Sequence, residues 1–403
     1  MGLHDRLLDR QSVYGFTTFG DKYVCGDCIN ESFLQKFIEE NADSNYCSYC
    51  GATNEEGFSI AADIDDVMEY IIDHLKYEWG NPDDEGVGYD SREGGYLGVS
   101  IYDGWDFVEE ILCPEAEVEN EYLMKDIKNQ LIDTRWCEID PYGTSEEEEL
   151  YFSWRTFSNL VKHETRYVFY KTAASVNIAG FLSPYEIIDF IGSMVEEVGL
   201  IKVLPPQKFY RVRVSNKGEY FTFSKELGTP PREYALNSNR MSPAGIPMFY
   251  GACDMDTALL EVDYKQGENV IASIGEFENT KELTVLDLTE LPKIPSIFNE
   301  AEREKRQVII FFYKFLEDFS KPISKDGKEH IDYVPTQIVT EYFRHIFKTI
   351  DGKTLDGIAY RSSKNRNKSY VFFLENKDFG ESGAEGSLHE MILTKVSHIP
   401  NKT

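Results

Sequence analysis

The sequence has no long run of apolar residues. Its longest notable run, Val308 to Tyr313, is far shorter than the roughly 20 residues of a membrane-spanning helix. The opening residues, Met1 to Arg6, also lack the apolar core of a signal peptide, and Arg6 departs from the myristoylation pattern. These absences predict a cytoplasmic protein that does not have a membrane as a partner.

Basic residues are scarce in the N-terminal half of the chain. Residues 1–200 contain 42 acidic and 13 basic side chains, whereas residues 201–403 contain 29 and 28. So much negative charge repels phosphate backbones, which argues against direct binding of nucleic acid. The balanced second half does not repel an anionic ligand in this way. The step in charge, in a chain of 403 residues, predicts two or three domains.

Cysteines are few and odd in number, which does not suit a disulfide framework. Four of the seven form two Cys-x-x-Cys pairs, Cys25 with Cys28 and Cys47 with Cys50, at the spacing of a zinc ribbon. Because four thiolates leave no position for water, we expect the Zn²⁺ to be structural. The remaining cysteines are predicted core residues: Cys113, Cys137 and Cys253.

The middle of the chain predicts helices without chemistry. Apolar residues recur at helical spacing from Ile64 to Leu75, and a second pattern begins at Ser183-Pro184 and ends at Gly199. Residues 80–104 read as loop and short strand. Arg155 and His163 are too far apart in sequence for the ribonuclease pair of HEPN type, so we interpret their segment as a core helix.

A change of composition at Pro205-Pro206 predicts a domain boundary. We therefore expect a zinc ribbon over residues 1–55, an acidic α-rich accessory or regulatory domain over 56–204, and a third domain over 205–403.

Four short motifs follow this boundary. They are Phe209-Tyr210-Arg211-Val212-Arg213; Asn239-Arg240-Met241-Ser242-Pro243-Ala244-Gly245 with Met248-Phe249-Tyr250-Gly251-Ala252; Thr257-Ala258-Leu259-Leu260-Glu261-Val262; and Gly357-Ile358-Ala359-Tyr360-Arg361-Ser362-Ser363 with Tyr370-Val371-Phe372-Phe373-Leu374. In this order, over about residues 205–400, the set resembles the RES domain, a bacterial relative of ADP-ribosyltransferases. It departs from the family where Asn239 replaces glycine, Met241 an aromatic residue and Ser242 asparagine.

The resemblance implies an α+β fold with a split antiparallel sheet around an NAD⁺ cleft, preceded by the zinc ribbon and the acidic α-rich domain. Cleaving the nicotinamide bond of NAD⁺ builds positive charge on the ribose, which a fixed carboxylate stabilises. Glu261 suits this role, and we expect it on the inward side of its helix, where an unpaired carboxylate is costly.

The other predicted site residues contact the dinucleotide. Arg240 is expected to bind the pyrophosphate or the ribose hydroxyls, and Tyr250 to stack on the nicotinamide. We expect Ser362 near the ribose and Arg211 on the phosphates. Besides NAD⁺ as substrate and structural Zn²⁺, no cofactor is needed. The segment Tyr333 to Gln337 is interpreted as the structural start of a helix, and the alternative that it lines the pocket stays open.

Three functions stay open from the residues. The first is an NAD⁺ glycohydrolase or phosphorylase that acts as a toxin or defence effector by depleting NAD⁺. The second is an ADP-ribosyltransferase that modifies a specific protein. The third is an inactive NAD-binding module. In each case the N-terminal half is a candidate sensor, internal inhibitor in place of an antitoxin, or surface for homo-oligomerisation, and a protein trigger is a candidate partner.

Overall fold

The structure is a computed structural model that describes residues 3–92, 94–172, 181–216, 218–265, 270–321, 327–383 and 389–399. Met1 and Gly2, part of the N-terminal pattern discussed above, lie outside these ranges. The chain divides into two compact units, Met1–Ser145 with Ile294–Arg306, and Glu146–Lys293 with Gln307–Thr403. Within the described ranges, no helix is both long and apolar enough to cross a membrane.

The first unit combines short helices and strands. Its helices are α1 (Leu3–Tyr14), α2 (Ser32–Glu40), α3 (Ile64–Leu75), α4 (Gly104–Phe107), α5 (Cys113–Glu115) and α6 (Glu121–Gln130). Its strands are β1 (Tyr23–Cys25), β2 (Ala61–Asp63), β3 (Trp79–Gly80), β4 (Tyr89–Asp90), β5 (Gly95–Tyr96), β6 (Tyr102–Asp103) and β7 (Arg135–Glu138). β1 pairs with β2 and β4 with β5, while β7 lies between β3 and β6. The loops and short strands predicted over residues 80–104 are confirmed.

Helix α3 is the centre of this unit. All six apolar residues that predict it, from Ile64 to Leu75, are fully buried. Asp63 caps its first turn by accepting the Asp65 N–H at 2.8 Å. The helix that the apolar spacing predicts is therefore confirmed.

A distant segment, residues 294–306, completes the first unit, and we call it the strap. Ile297 and Phe298 are buried in the same core as α3, with 0% and 1% of their surface exposed. Arg306 donates from Nε to Glu78 at 2.9 Å and from Nη2 to Glu115 at 2.5 Å. Since these carboxylates hold a buried guanidinium, the strap is bound by charge as well as by apolar packing.

The second unit contains the longer elements. Its helices are α7 (Glu146–His163), α8 (Phe169–Thr172), α9 (Glu186–Glu197), α10 (Ser224–Leu227), α11 (Met255–Glu261), α12 (Arg303–Ser320, whose first residues belong to the strap), α13 (Glu329–Asp332) and α14 (Val334–His345). Its strands are β8 (Ile201–Leu204), β9 (Lys208–Asn216), β10 (Phe249–Ala252), β11 (Val270–Asn279), β12 (Leu283–Asp287), β13 (Gly357–Arg361), β14 (Lys368–Phe372), β15 (Phe379–Glu381) and β16 (Met391–Ile399).

Helices α7, α9, α12 and α14 share one apolar core with strands of the sheet. α9 and α14 approach so closely that a Cβ atom at Gly192 would lie 2.2 Å from Tyr342 Oη, so a larger residue there would displace the tyrosine ring. The end of α9 is set by Gly199, whose φ of +75° favours glycine. α7 and α9, predicted for the middle domain, thus belong to the compact unit that contains the sheet. The three-domain division itself stays a prediction.

In the described residues the nine strands of this unit form one sheet, in the order β15-β16-β11-β9-β10-β14-β13-β12-β8. Most neighbours are antiparallel, but β12 with β13 and β15 with β16 are parallel. β9 and β10 pair at a single position, Tyr210 with Ala252, so the sheet divides there. The expected α+β fold with a split sheet is confirmed, with two parallel pairs that the prediction of an antiparallel sheet did not include.

Candidate active site and metal centre

A cavity of about 1200 Å³ opens where β9 and β10 diverge. It exceeds the usual size of small-molecule sites, about 300 to 1,000 Å³. Four of the predicted residues line it, and each comes from a different segment: Arg211 from β9, Arg240 from the loop before β10, Tyr250 from β10 and Glu261 from the end of α11. The split in the sheet therefore brings together residues that are distant in sequence.

Arg211 and Arg213 lie side by side on β9, where burial lowers the pKa of Arg213 and the charge of Glu226 opposes this effect. Arg211 Nη1 donates to Tyr250 O at 3.1 Å, and Arg213 Nη2 donates to Gly228 O at 2.8 Å. Burial, together with repulsion from Arg213, lowers the pKa of Arg211. Within the described ranges neither arginine forms an ion pair, and both Nε atoms are buried without a hydrogen-bond partner. An anion in the cavity would offset this concentration of positive charge. Sequence reasoning did not assign Arg213 a role, although it follows Arg211 by two residues, the spacing at which side chains of a strand share one face.

The loop that carries Arg240 is held by α14. Thr336 Oγ1 donates to Arg240 O, and Gln337 Nε2 donates to Asn239 O at 2.7 Å. The guanidinium donates from Nη1 to Phe319 O at 2.8 Å. Thr336 and Gln337, interpreted above as the start of a helix, therefore also fix the backbone that places Arg240.

Two of the residues that depart from the family pattern contact each other within this loop. The Asn239 backbone N–H donates to Ser242 O at 2.8 Å, which closes the turn around Arg240, and Asn239 Nδ2 donates to Ser242 Oγ at 3.4 Å. Ser242 Oγ and Tyr250 Oη are hydrogen-bonded at 2.9 Å. Burial raises the pKa of Tyr250 to about 12, although its bond to Ser242 acts in the opposite direction. Tyr250 is thus a neutral, half-buried ring whose orientation depends on Ser242.

Tyr360 on β13 is a cavity residue to which sequence reasoning assigned no role. Burial raises its pKa well above the usual range; the charge of Glu261 and the Tyr250 phenol raise it further, while Arg240 and Arg211 lower it. The pKa of this one phenol therefore responds to all four of the predicted residues that line the cavity. The sequence feature that could have identified Tyr360 is that it lies in the same motif as Ser362.

Comparison with known proteins identifies two domains in the chain. Residues 208–391 match the family model of the RES domain, and residues 40–175 match HEPN/RES N-terminal domain 1. The chain is a RES domain protein with an N-terminal accessory domain. No curated protein and no solved structure matches it. A RES domain indicates, in general terms, an enzyme that acts on NAD⁺.

Glu261 of the RES domain is exposed, which corrects the expectation that it faces inward. α11 has seven residues and ends at Glu261, so no further turn covers this side chain. Only Thr257 and Ala258 of the helix are buried. Glu261 lines the cavity and forms no hydrogen bond or ion pair with the residues that the structure describes. Its carboxylate is thus open to a ligand, without the cost of burial.

Ser362 does not reach the cavity of the RES domain. β13 ends at Arg361, and Ser362 is fully buried in the turn that follows. Its Oγ accepts the Lys364 N–H at 3.2 Å, and its own N–H donates to Asn367 O at 2.8 Å. Ser363 and Lys364 line the cavity instead. The fold therefore brings four predicted residues together at the cavity: Arg211, Arg240, Tyr250 and Glu261. Ser362 lies in the adjacent turn and does not line the cavity.

The four predicted metal ligands of the RES domain protein meet in the first unit. The Sγ atoms of Cys25, Cys28, Cys47 and Cys50 all lie within 4.8 Å of one another. Three of the separations are 3.9 Å (Cys25–Cys28), 3.5 Å (Cys25–Cys50) and 3.7 Å (Cys28–Cys47). Burial raises the pKa of the Cys25 thiol, whereas the bond from Cys28 lowers that of Cys47.

The sulfur positions fit a tetrahedral metal ion. Bonds of about 2.3 Å from zinc to four sulfurs place neighbouring sulfurs about 3.8 Å apart, close to the separations found. Asn120 Nδ2 also donates to Cys28 Sγ at 3.5 Å, as an outer partner that stabilises a thiolate. The donor set and its spacing therefore suit a closed site of structural type.

The other cysteines are only partly as predicted. Cys113 and Cys137 are buried, whereas Cys253 is exposed, which corrects the expectation that it is a core residue. Cys253 directly follows β10 and precedes Asp254, the residue that caps α11. Its position in this connection keeps it at the surface.

Arg155 and His163 lie on one helix, α7, and both are exposed. Eight residues of α-helix separate their Cα atoms by about 12 Å along the axis. They do not converge, so the interpretation of this segment as a core helix agrees with the buried Trp154, Phe157 and Val161.

Proposed function

We propose that this RES domain protein cleaves the bond between nicotinamide and ribose in NAD⁺, and acts as a toxin or defence effector that lowers cellular NAD⁺. The observation that carries the proposal is the convergence of Arg211, Arg240, Tyr250 and Glu261 on one cavity. Their charges complement those of the dinucleotide, which has an anionic diphosphate and a ribose that becomes cationic during the reaction.

The anionic part of NAD⁺ suits the side of the cavity that carries the arginines. Arg211 and Arg213 form no ion pair in the described ranges, and the planar guanidinium of Arg240 offers donors beyond its bond to Phe319. Bonds from guanidinium groups to phosphate oxygens are charge-assisted and therefore stronger than neutral ones. We assign this side of the cavity to the diphosphate and adjacent ribose hydroxyls.

The reacting ribose is assigned to Glu261. As the bond from ribose to nicotinamide breaks, its electron pair leaves with the nicotinamide, and the ribose acquires oxocarbenium character. The carboxylate stabilises that cation, and the half-buried ring of Tyr250 provides an apolar face for the nicotinamide. Water then adds to the ribose and loses a proton, which gives ADP-ribose; phosphate as acceptor gives the phosphorylated product.

An ADP-ribosyltransferase is the second candidate. Its support is the exposure of Glu261, because a carboxylate at an open mouth leaves room for an acceptor larger than water. The two candidates share the first chemical step and differ in what attacks the ribose.

We further propose that the four-cysteine cluster binds one structural Zn²⁺. The donor set is four thiolates, and the separations of their sulfurs suit tetrahedral bonding. The ion would neutralise the repulsion between thiolates that share this small site, and so stabilise the fold around β1 and β2.

The test is incubation of the purified protein with NAD⁺, followed by chromatography and mass spectrometry of small molecules and of the protein. We expect release of nicotinamide together with ADP-ribose or its phosphate. An increase in protein mass by one ADP-ribose, on this chain or on an added lysate protein, would favour the transferase. Binding of NAD⁺ without release of nicotinamide would refute both and indicate a binding module.

A further inference from the structure

The turn after β13, residues 362–367, is joined to α11 by side-chain amides. Asn365 Nδ2 donates to Thr257 Oγ1 at 2.8 Å. Asn367 Nδ2 donates to the same oxygen and to Asp254 Oδ2, each at 3.2 Å. Thr257 begins the helical turn that ends at Glu261. These hydrogen bonds therefore help to fix the position of the helix that carries the Glu261 carboxylate.

The start of α11 is organised around the same atoms. Asp254 accepts the Thr257 N–H at 2.7 Å and the Thr257 hydroxyl at 2.8 Å. Burial acts to raise the pKa of Asp254, but the bonds from Thr257 and Asn367 outweigh it, and the pKa is lowered. A helix of seven residues has little stability of its own, so its direction depends on such contacts.

A third connection lies beyond the end of α11. Lys364 Nζ forms an ion pair with Asp263, two residues after Glu261. Both side chains are more than a third exposed, so the pair contributes little by itself. The neutral bonds to Thr257, which is fully buried, are better shielded from water.

Ser362 shapes the turn that supplies these amides. Its N–H is bonded to Asn367 O and its carbonyl accepts the Arg366 N–H at 2.9 Å, while its hydroxyl accepts the Lys364 N–H. The serine is therefore connected to Glu261 through Asn365, Asn367 and Thr257, although it lies outside the cavity wall.

We propose that Asn365, Asn367 and Thr257, called here the α11 clamp, are positioning residues that hold the Glu261 carboxylate in the cavity, and that Ser362 acts through this clamp. The inference rests on the proposed function of Glu261. The clamp determines where α11 ends relative to β13, which carries the cavity residue Tyr360. Loss of the clamp displaces the carboxylate but leaves the arginines that bind the diphosphate in place.

The test compares Thr257→Val, Asn365→Ala and Ser362→Ala with the wild type. Thr257→Val keeps the volume of the side chain and removes the oxygen, whereas Thr257→Ser keeps the oxygen and should restore activity. Thr349→Val is the matched control, because Thr349 is also buried, its Oγ1 accepts the Lys353 N–H at 2.9 Å, and neither residue lines the cavity. For each variant we measure kcat and KM for NAD⁺, and hydrogen exchange of the amides in α11.

For Thr257→Val and Asn365→Ala we expect kcat to fall about 10- to 100-fold, in line with the effect of small displacements of a reacting group. KM should stay within about twofold, since the arginines are unchanged, and exchange in α11 should accelerate with no change in other segments. Ser362→Ala should give the same pattern if it acts through the clamp. A raised KM with unchanged exchange would instead show that Ser362 touches the ligand.

The proposal is refuted if the amides of α11 exchange at the wild-type rate in both Thr257→Val and Asn365→Ala. It is also refuted if both variants retain the wild-type kcat. Asn365→Ala, in a surface turn, keeps the test decisive should Thr257→Val fail to fold. If the wild type itself does not cleave NAD⁺, the proposed function fails, and the exchange data alone then decide whether the clamp holds α11.

Discussion

Replacing Phe298 by alanine tests whether the strap belongs to the core of the first unit. The ring is 1% exposed and lies among Tyr70 and His74, with centroid separations of 6.5 and 5.6 Å. A phenylalanine side chain of this kind removes roughly 150–250 Å² from water. The strap should therefore be held by a large apolar contribution from this one residue.

The magnitude follows from the burial. At about 25 cal/mol per Å², the ring contributes roughly 4–6 kcal/mol, an upper value because the unfolded chain is partly compact. Measured Phe-to-Ala changes in cores cost about 3–5 kcal/mol. We expect Phe298→Ala to cost about 3–4 kcal/mol. For a unit of this size that lowers the melting temperature by roughly 6–16 °C.

Thermal unfolding and hydrogen exchange by mass spectrometry provide the assay, since exchange follows α3 separately from the sheet. Ile294→Ala is the matched control within the strap, because Ile294 is 41% exposed and should cost less than about 1 kcal/mol. Equal stability of the two variants, with unchanged exchange in α3, would refute the assignment of the strap to this core.

Three further changes test the site, the metal centre and the sheet. Glu261→Gln should lower kcat about 10²-fold, because a charge pair about 5 Å apart at an effective dielectric constant near 20 contributes about 3 kcal/mol; steady-state kinetics with NAD⁺ measures it. Cys28→Ser should abolish stoichiometric zinc, measured by elemental analysis, and accelerate exchange in β1 and β2. Asp287→Asn should lower the free energy of unfolding at pH 7 by about 1–3 kcal/mol, since it removes the negative charge that accepts the bond from Lys368 Nζ at 2.6 Å.

The sign of the pH effect at Asp287 follows from its environment. Burial acts to raise its pKa, but bonds from Lys368 and Thr289 outweigh it and lower the pKa below the ordinary value. The carboxylate thus stabilises the fold above the ordinary carboxyl pKa of about 4, and this contribution is lost as the pH falls through the lowered value. Denaturant unfolding at pH 7 and at low pH should show the difference between variant and wild type decreasing with acid; a constant difference would contradict it.

Two controls complete these tests. Cys137→Ser should keep the zinc, because Cys137 is buried outside the four-cysteine cluster; zinc loss in both cysteine variants would argue against a specific site. A Glu261→Gln enzyme within threefold of the wild type would contradict the role of the carboxylate.

Local patterns predicted local structure well. The apolar spacing identified α3 and α9, and paired Cys-x-x-Cys units predicted the cluster because each pair fixes two sulfurs within one turn. The order of the four motifs predicted which strands would border the cavity. Arg211, Arg240, Tyr250 and Glu261 do line it, although their functional roles stay predictions.

Local sequence patterns did not predict the features that depend on tertiary structure. Glu261 follows the buried Ala258 by three residues, which is a spacing at which two helical residues share one face. α11 nevertheless ends at Glu261, so the Glu261 side chain is exposed. Ser362 reads as part of a strand, but the strand ends one residue earlier. The strap joins a unit that lies far from it in sequence, and no local periodicity reports such a pairing.

The order of strands in the sheet also determines when the cavity can exist in a growing chain. Tyr250 lies on β10, whose full-length partner is β14, and that strand ends only at Phe372. At 5–20 residues per second, roughly 6–24 seconds of synthesis separate the two. During this interval β10 lacks the neighbour that aligns it, so a nascent chain has Arg211, Arg240 and Tyr250 but no assembled site. The complete cavity therefore forms only after most of the protein has been synthesised.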